Sequence, residues 1–209
     1  SIESVVAFPE KSKAQVKFQE QGVKTLKLKG KGGYHFRDAL YLNKFCKINS
    51  IDIIHCHSGR AHSLGYLMKV LGCSSKLIVH RRVAFPIRKS YLTGKKYLSK
   101  RVDHFISISE AIRKDLLKYG VSESKISIAR SSVDPGKFIG LDQKYCRKKF
   151  KIYEQTKAIG IVAALTKEKG HDLLFKALKE IDGDYLCLVA GTGKNEVALK
   201  KLAQDLGIE

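Results

Sequence analysis

Short apolar runs alternate with longer stretches of helical period along this 209-residue chain, and that alternation restricts the available folds more than any single motif does. Runs at residues 4–7, 25–28, 51–55, 76–79, 104–108, 125–128, 158–162 and 185–190 read as strands. Between them, Leu64, Leu67, Met68 and Leu71 recur at i, i+3, i+4 and i+7, as do Leu199, Leu202, Ala203 and Leu206. Such a stripe belongs to a helix laid on a sheet. A chain that alternates strand and helix in this way builds parallel sheets. The segments IDII, KLIV and YLCLVA are mostly apolar rather than alternating, as expected of strands covered on both faces. The predicted fold class is α/β: a parallel sheet with helices on both faces, followed by the start of a second sheet of the same kind. Such sheets bind ligands at the carboxyl ends of their strands, so the residues just after each strand are the functional candidates.

The alternation loosens across residues 131–157. Asp134-Pro135-Gly136 is a turn signal, and a basic stretch around Cys146 to Lys151 precedes the next strand. We therefore expect a first domain over 1–135, a linker over 136–157 and the opening of a second domain over 158–209. Both ends read as cut: the chain opens directly on a strand and stops after one strand-helix-strand-helix set of the second domain. No repeat of solenoid period and no low-complexity segment occurs.

Composition narrows the partners. Lys and Arg number 40 against 20 Asp and Glu, a formal net charge of +20, which calls for nucleic acid, an acidic membrane surface or phosphorylated small molecules. At 44% hydrophobic residues the chain has the apolar mass for a core, which excludes disorder. The five cysteines, Cys46, Cys56, Cys73, Cys146 and Cys187, are odd in number and sit in separate apolar segments, where a reduced thiol behaves as a small hydrophobe. They point to a reducing, cytosolic compartment. No apolar run approaches the roughly 18 residues of a membrane span, and Ser1 is not followed by a charged and then apolar leader. Any membrane association is expected to be peripheral.

Several strand ends carry chemistry. Within 158–180 an apolar strand runs into a polar loop ending Lys169-Gly170, and an amphipathic helix follows at once. The first turns of a helix leave N–H groups unpaired at the positive end of the macrodipole, so a lysine beside them makes an anion site suited to a nucleotide diphosphate. His55-Cys56-His57-Ser58-Gly59-Arg60-Ala61-His62 packs three histidines and a thiol into a strand end and a first helical turn. Neighbours on a strand point to opposite faces, so Cys56 cannot readily join His55 and His57 in the tetrahedral shell that zinc requires. The segment reads instead as a polar strand end without a metal, with Ser58 or Gly59 capping the helix and His57 and Arg60 facing the ligand cleft.

His80-Arg81-Arg82 follows Leu77-Ile78-Val79, and from there to Arg101 the chain adds Arg88, Lys89, Lys95, Lys96 and Lys100 with no acidic residue. Phe85, Pro86, Tyr91, Leu92, Tyr97 and Leu98 supply an apolar counterpart. The run suits an anionic lipid surface, where each basic residue contributes on the order of 1 kcal/mol. In Ser107-Ile108-Ser109-Glu110-Ala111-Ile112-Arg113, Ser109 is placed to cap a helix and Glu110 to face its dipole, with substrate contact as the other reading. Gly191-Thr192-Gly193-Lys194 matches neither full phosphate-loop pattern, lacking both the four-residue spacer and the third glycine. No GxSxG elbow occurs, which argues against a serine hydrolase.

Taken together, three blocks spanning nearly the whole chain in register resemble the retaining nucleotide-sugar glycosyltransferases of family 4, whose GT-B fold pairs two Rossmann-like domains. DIIHCHSGRAH resembles their D-hydrophobic-hydrophobic-H-x-H segment. DHFISISEAIRKDLLKYGVSESKISIARSSVDPGKF resembles their stretch of strand, SEA helix, GV turn, strand and VD-x-x-x-F. IGIVAALTKEKGHDLLFKAL with LCLVAGTGKNEVALKKLAQDLGI resembles the start of their donor domain.

The resemblance implies sugar transfer from a nucleotide diphosphate sugar to an acceptor through an oxocarbenium-like state, the protein's main task being to stabilise the leaving diphosphate. It implies no cofactor and no obligatory metal. In the family an arginine and a lysine in the loop after the first donor-domain strand share this task with the adjacent helix N-terminus. Lys169 and Gly170 match that loop, Ala164 stands where many members carry the arginine, and Lys167 is the candidate substitute. A charge-assisted phosphate contact is worth roughly 1.5–3 kcal/mol, so the missing cation matters. Ser131 and Ser132 replace the asparagine and glycine that often precede Val-Asp. For the family's inward-facing histidine, His80 is nearest in type while counting back from Pro86 selects Arg82; both are catalytic candidates beside His57.

The whole implied by the resemblance is a cytoplasmic enzyme, peripheral at the inner face of the membrane, acting on a lipid-linked or saccharide acceptor such as a lipopolysaccharide core. Arg60, Ser109 and Glu110 would stand at the acceptor side, and the basic run to Arg101 would meet anionic lipid. The family's glycine-rich loop would precede Ser1 and its pair of glutamates would follow Glu209, so the chain reads as a partial protein whose activity is in question. Two other readings stay open. A nucleic-acid-binding protein fits the charge, but the clearest motifs sit at strand ends and no tryptophan is present, so nucleic acid is not the expected partner. A sugar-phosphate-binding domain without catalysis fits the missing arginine.

Overall fold

The computed structural model describes residues 3–10, 12, 14–30, 34–83, 87, 90–140 and 142–208. The elements run β1 (Val5–Pro9), α1 (Ala14–Glu20), β2 (Lys24–Leu28), α2 (Phe36–Ile48), β3 (Ile53–Cys56), α3 (Gly59–Val70), β4 (Lys76–Arg81), α4 (Tyr91–Tyr97), β5 (His104–Ser107), α5 (Glu110–Tyr119), β6 (Ile126–Ile128), α6 (Gln143–Lys149), β7 (Lys157–Val162), α7 (His171–Lys179), β8 (Tyr185–Ala190) and α8 (Glu196–Leu206). Each of the eight apolar runs forms a strand, with ends shifted by at most two residues. Every strand pair is parallel, as the alternation requires. No described helix is long and apolar enough to cross a membrane.

The chain divides into two compact units, Ser1–Val133 and Asp134–Glu209. In the first, β1 and β2 pair by themselves while β3, β4, β5 and β6 lie side by side in chain order. Residues that alternate along the strands fall on different faces, and the faces of the four-stranded sheet are not equally covered. Leu77, Val79 and Phe105 are buried with Cys56 in a core completed by Tyr97 of α4 and by Ile112 and Leu116 of α5. On the opposite face Ile53 is 51% exposed, and His55 is exposed as well. The apolar strands are thus fully covered on one side only among the described residues.

The stripe on α3 packs as its spacing predicts. Leu64 and Met68 are buried with Ala39 and Cys46 of α2, and Leu67 and Leu71 flank them. Gly65 lets α3 approach the sheet closely: a Cβ there would lie 2.8 Å from both Cys56 Sγ and Leu77 Cδ1.

In the second unit β7 and β8 form a parallel pair in register from Lys157 beside Tyr185 to Val162 beside Ala190. Phe175 and Leu178 of α7 and Leu165 are buried there. The α8 stripe, Leu199, Leu202, Ala203 and Leu206, is half-buried. The segment expected as a linker falls inside this unit, because two aspartates start structure in it. Asp134 Oδ1 accepts from Gly136 N–H at 2.9 Å at the head of a 3-10 turn, Pro135–Phe138, and Asp142 Oδ1 accepts from Lys144 N–H at 2.8 Å at the head of α6.

Candidate functional site

The tips of β3 and β4 bring three histidines together. His55 and His57 are two residues apart and share a side, while Cys56 points into the core, 3% exposed, its thiol 3.2 Å from the Ala61 carbonyl. Burial pushes that thiol up to about 12. His80 comes from the neighbouring strand: the ladder sets His55 beside Ile78 and Cys56 beside Val79, so His80 stands one step further along. The His55 and His57 rings are 4.1 Å apart, and each is 5.5 Å from the His80 ring, which stacks on His55.

All three imidazoles are held below the ordinary value. Burial is the main cause for each, followed by the neighbouring histidine, and Arg82 adds to the effect on His57 and His80. Arg82 itself is exposed. The third histidine of the sequence segment does not join them. His62 is 1% exposed, packed edge-on against Tyr97 and Phe105 at 4.8 and 5.9 Å, and burial lowers its pKa to about 3.

Several of the other first-unit candidates have structural partners. Ser58 Oγ accepts from Ala61 N–H at 3.1 Å and so caps α3, leaving Arg60 exposed in its first turn. Ser109 Oγ accepts from Ile112 N–H at 3.3 Å and caps α5. Glu110 pairs with Arg113 at 2.7 Å, and Arg113 pairs also with Glu123. Of the basic run, Arg88 and Lys89 lie outside the described residues, as do Phe85 and Pro86. Lys95 packs over the Tyr91 ring at 4.4 Å and is exposed, like Lys100 and Arg101. Lys96 turns inward instead: its Nζ donates to Ser63 Oγ at 3.0 Å and lies 3.4 Å from the Gly59 carbonyl, and burial lowers its pKa. Beside it Arg81 donates to the Tyr97 hydroxyl at 3.0 Å.

In the second unit the loop after β7 forms a 3-10 turn, Lys167–Lys169, and Gly170 then adopts φ 69°, a left-handed conformation that suits glycine, to launch α7. Lys167 and Lys169 are exposed and Gly170 is half-buried. The GTGK segment folds against this loop. Leu165 N–H donates to Thr192 O at 3.0 Å and Asn195 N–H to Leu165 O at 3.1 Å. The glycines are there for backbone contact, since a Cβ on Gly191 would lie 1.9 Å from Ala163 O and one on Gly193 2.5 Å from Leu165 O. The pairing brings the segment that ends at Lys194 to the loop, although its phosphate-loop match is incomplete. Its own backbone N–H and Thr166 hold the Glu168 carboxyl below the usual carboxylate range, with further help from Lys194 and Lys169. Glu168, in the turn before α7, thus lies within electrostatic reach of both lysines.

Comparison with known proteins places these features. The sequence pattern of Glycosyltransferase Family 4 matches residues 4–137, and that of Glycosyl transferases group 1 matches residues 142–209. Among curated proteins none matches the chain in sequence. A glycosyltransferase from Rickettsia africae ESF-5 is 19% identical with a TM-score of 0.82, covering 98% of this chain and 57% of its own. Anabaena Alr3699/HepE, solved with UDP, is 12% identical with a TM-score of 0.79 over 98% of this chain and 58% of its own. The lipopolysaccharide outer core galactosyltransferase WaaB is 14% identical with a TM-score of 0.63 over 99% of this chain and 66% of its own. The chain thus spans less than two thirds of the length of these structures and has their fold.

Proposed function

Since the chain belongs to Glycosyltransferase Family 4, we propose that it is the part of a retaining glycosyltransferase that holds the diphosphate of a nucleotide sugar and receives a saccharide or lipid-linked acceptor. The observation that carries this reading is the loop pair at the head of α7. There Gly170 turns the chain into the helix directly after Lys169, and the GTG backbone packs against the loop that leads to it. Structures of HepE with UDP and with UDP-glucose support the donor class.

As the bond from the anomeric carbon to the diphosphate oxygen lengthens, negative charge gathers on the leaving group and positive charge on the sugar. The N–H groups of the first turn of α7, with the Lys169 ammonium beside them, would stabilise the first of these. His57 and His80, whose pKa values are lowered by burial, then by the neighbouring histidine and Arg82, offer imidazole nitrogen to an acceptor hydroxyl. No metal is needed for these steps. Lys95, Lys100 and Arg101 present positive charge to an anionic acceptor or to the inner face of a membrane, and the likeness to WaaB supports a lipopolysaccharide-type acceptor.

Calorimetric titration of UDP-, GDP- and ADP-sugars tests the donor assignment. One nucleotide class binds, and Lys169→Ala weakens it roughly 10- to 100-fold, the worth of one charge-assisted contact. An affinity unchanged in that variant removes the assignment.

A further inference from the structure

We infer that His55, His57 and His80 form a three-histidine site for a divalent transition metal of the zinc class, on the exposed face of the four-stranded sheet. Strand alternation and ladder register put the three rings together while sending Cys56 to the other face. Their candidate ligand nitrogens all lie within 4.8 Å of one another. Bonds of roughly 2.0–2.1 Å in a tetrahedral shell bring such nitrogens to about 3.4 Å apart, a contraction within reach of side-chain rotation because His55 and His57 are exposed.

A second observation points to a ligand. Both ring nitrogens of His80 are shielded from solvent and have no hydrogen-bond partner among the described residues, a state that buried polar atoms rarely keep. Three imidazoles and no carboxylate make a nitrogen-donor set, which suits zinc, copper or nickel and not calcium or magnesium. Three protein ligands leave one tetrahedral position open. A bound ion would withdraw His57 and His80 from the acceptor-side role proposed above; the metal measurements below read the site without depending on that role.

Cobalt(II) absorption and zinc(II) calorimetry on the untagged 209-residue protein test it. The expected result is one ion per chain, with the visible bands of tetrahedral cobalt, no thiolate-to-cobalt band, and displacement of cobalt by zinc. His57→Ala and His80→Ala each weaken zinc binding by more than the roughly 10- to 100-fold that loss of an outer-shell partner costs, with an unchanged circular dichroism spectrum, His57→Gln does the same, and His104→Ala, outside the cluster, leaves it intact. Arg82→Ala tightens binding, because its charge opposes a cation. No tetrahedral cobalt spectrum, a thiolate band, zinc affinity indifferent to His57→Ala and His80→Ala, or weaker binding in Arg82→Ala would each overturn the proposal.

Discussion

A glycine and a histidine show how single residues shape this molecule. At Gly193 an added methyl would meet the Leu165 carbonyl oxygen at 2.5 Å, whereas at Gly160, on β7, nothing lies within 4 Å. Gly193→Ala must therefore part the two loops, and it should destabilise the second unit by about 1–3 kcal/mol while weakening nucleotide binding. Gly160→Ala should be close to neutral; urea unfolding of both variants makes the comparison. In the sequence the GTG segment looked like a fragment of a phosphate loop, because a glycine needed for close backbone approach and one needed for phosphate look alike until the facing carbonyl is in place.

His62 carries a pH dependence. Its folded pKa of about 3 is depressed, so the unfolded chain binds a proton on this residue before the folded one does. Its neutral burial costs nothing in charge above the ordinary imidazole pKa of about 6.5. Below it, stability falls by roughly 1.4 kcal/mol per pH unit toward pH 3 from this residue alone. His62→Leu should flatten that slope in denaturant titrations run between pH 6.5 and 4. An equal slope in the variant would show that other groups govern acid unfolding.

Among the elements, the strands and helix starts were plain in the sequence because their signals are local. The apolar runs became β1 to β8, and Ser58 and Ser109 cap α3 and α5. Ser58→Ala and Ser109→Ala should each cost about 1 kcal/mol, the usual worth of a cap, in thermal unfolding. Gly65→Ala should cost about 1–3 kcal/mol, since its Cβ meets Cys56 and Leu77 across the α3 interface. What joins elements was harder to read. The meeting of His80 with His55 and His57 depends on the register of β3 against β4, which the spacing along one strand does not encode. Lys96 counted as part of a basic surface, yet its stem follows the protein inward to Ser63, as long aliphatic stems permit.

Over the whole molecule, excess positive charge and parallel topology converge on one reading, an anion held at a strand-to-helix turn. The surplus of 40 basic over 20 acidic residues also predicts binding to vesicles rich in anionic lipid, weakening as salt shortens the Debye length. Replacing Lys95, Lys100 and Arg101 with glutamate should weaken co-sedimentation with such vesicles more than the same three changes made at basic residues elsewhere on the chain, while Lys169→Ala should leave it nearly unchanged. The chain divides into compact units between Val133 and Asp134. The helix inside 143–149 was masked in the sequence by its density of charge.

The most direct test of the central claim is amide chemical-shift mapping of the 209-residue protein titrated with UDP, GDP and ADP in turn. The largest shifts should fall at Gly170–Leu173 and Thr192–Asn195, the start of α7 and the loop folded against it. Shifts confined to the basic run at 91–101, or spread evenly over exposed lysines, would contradict the account.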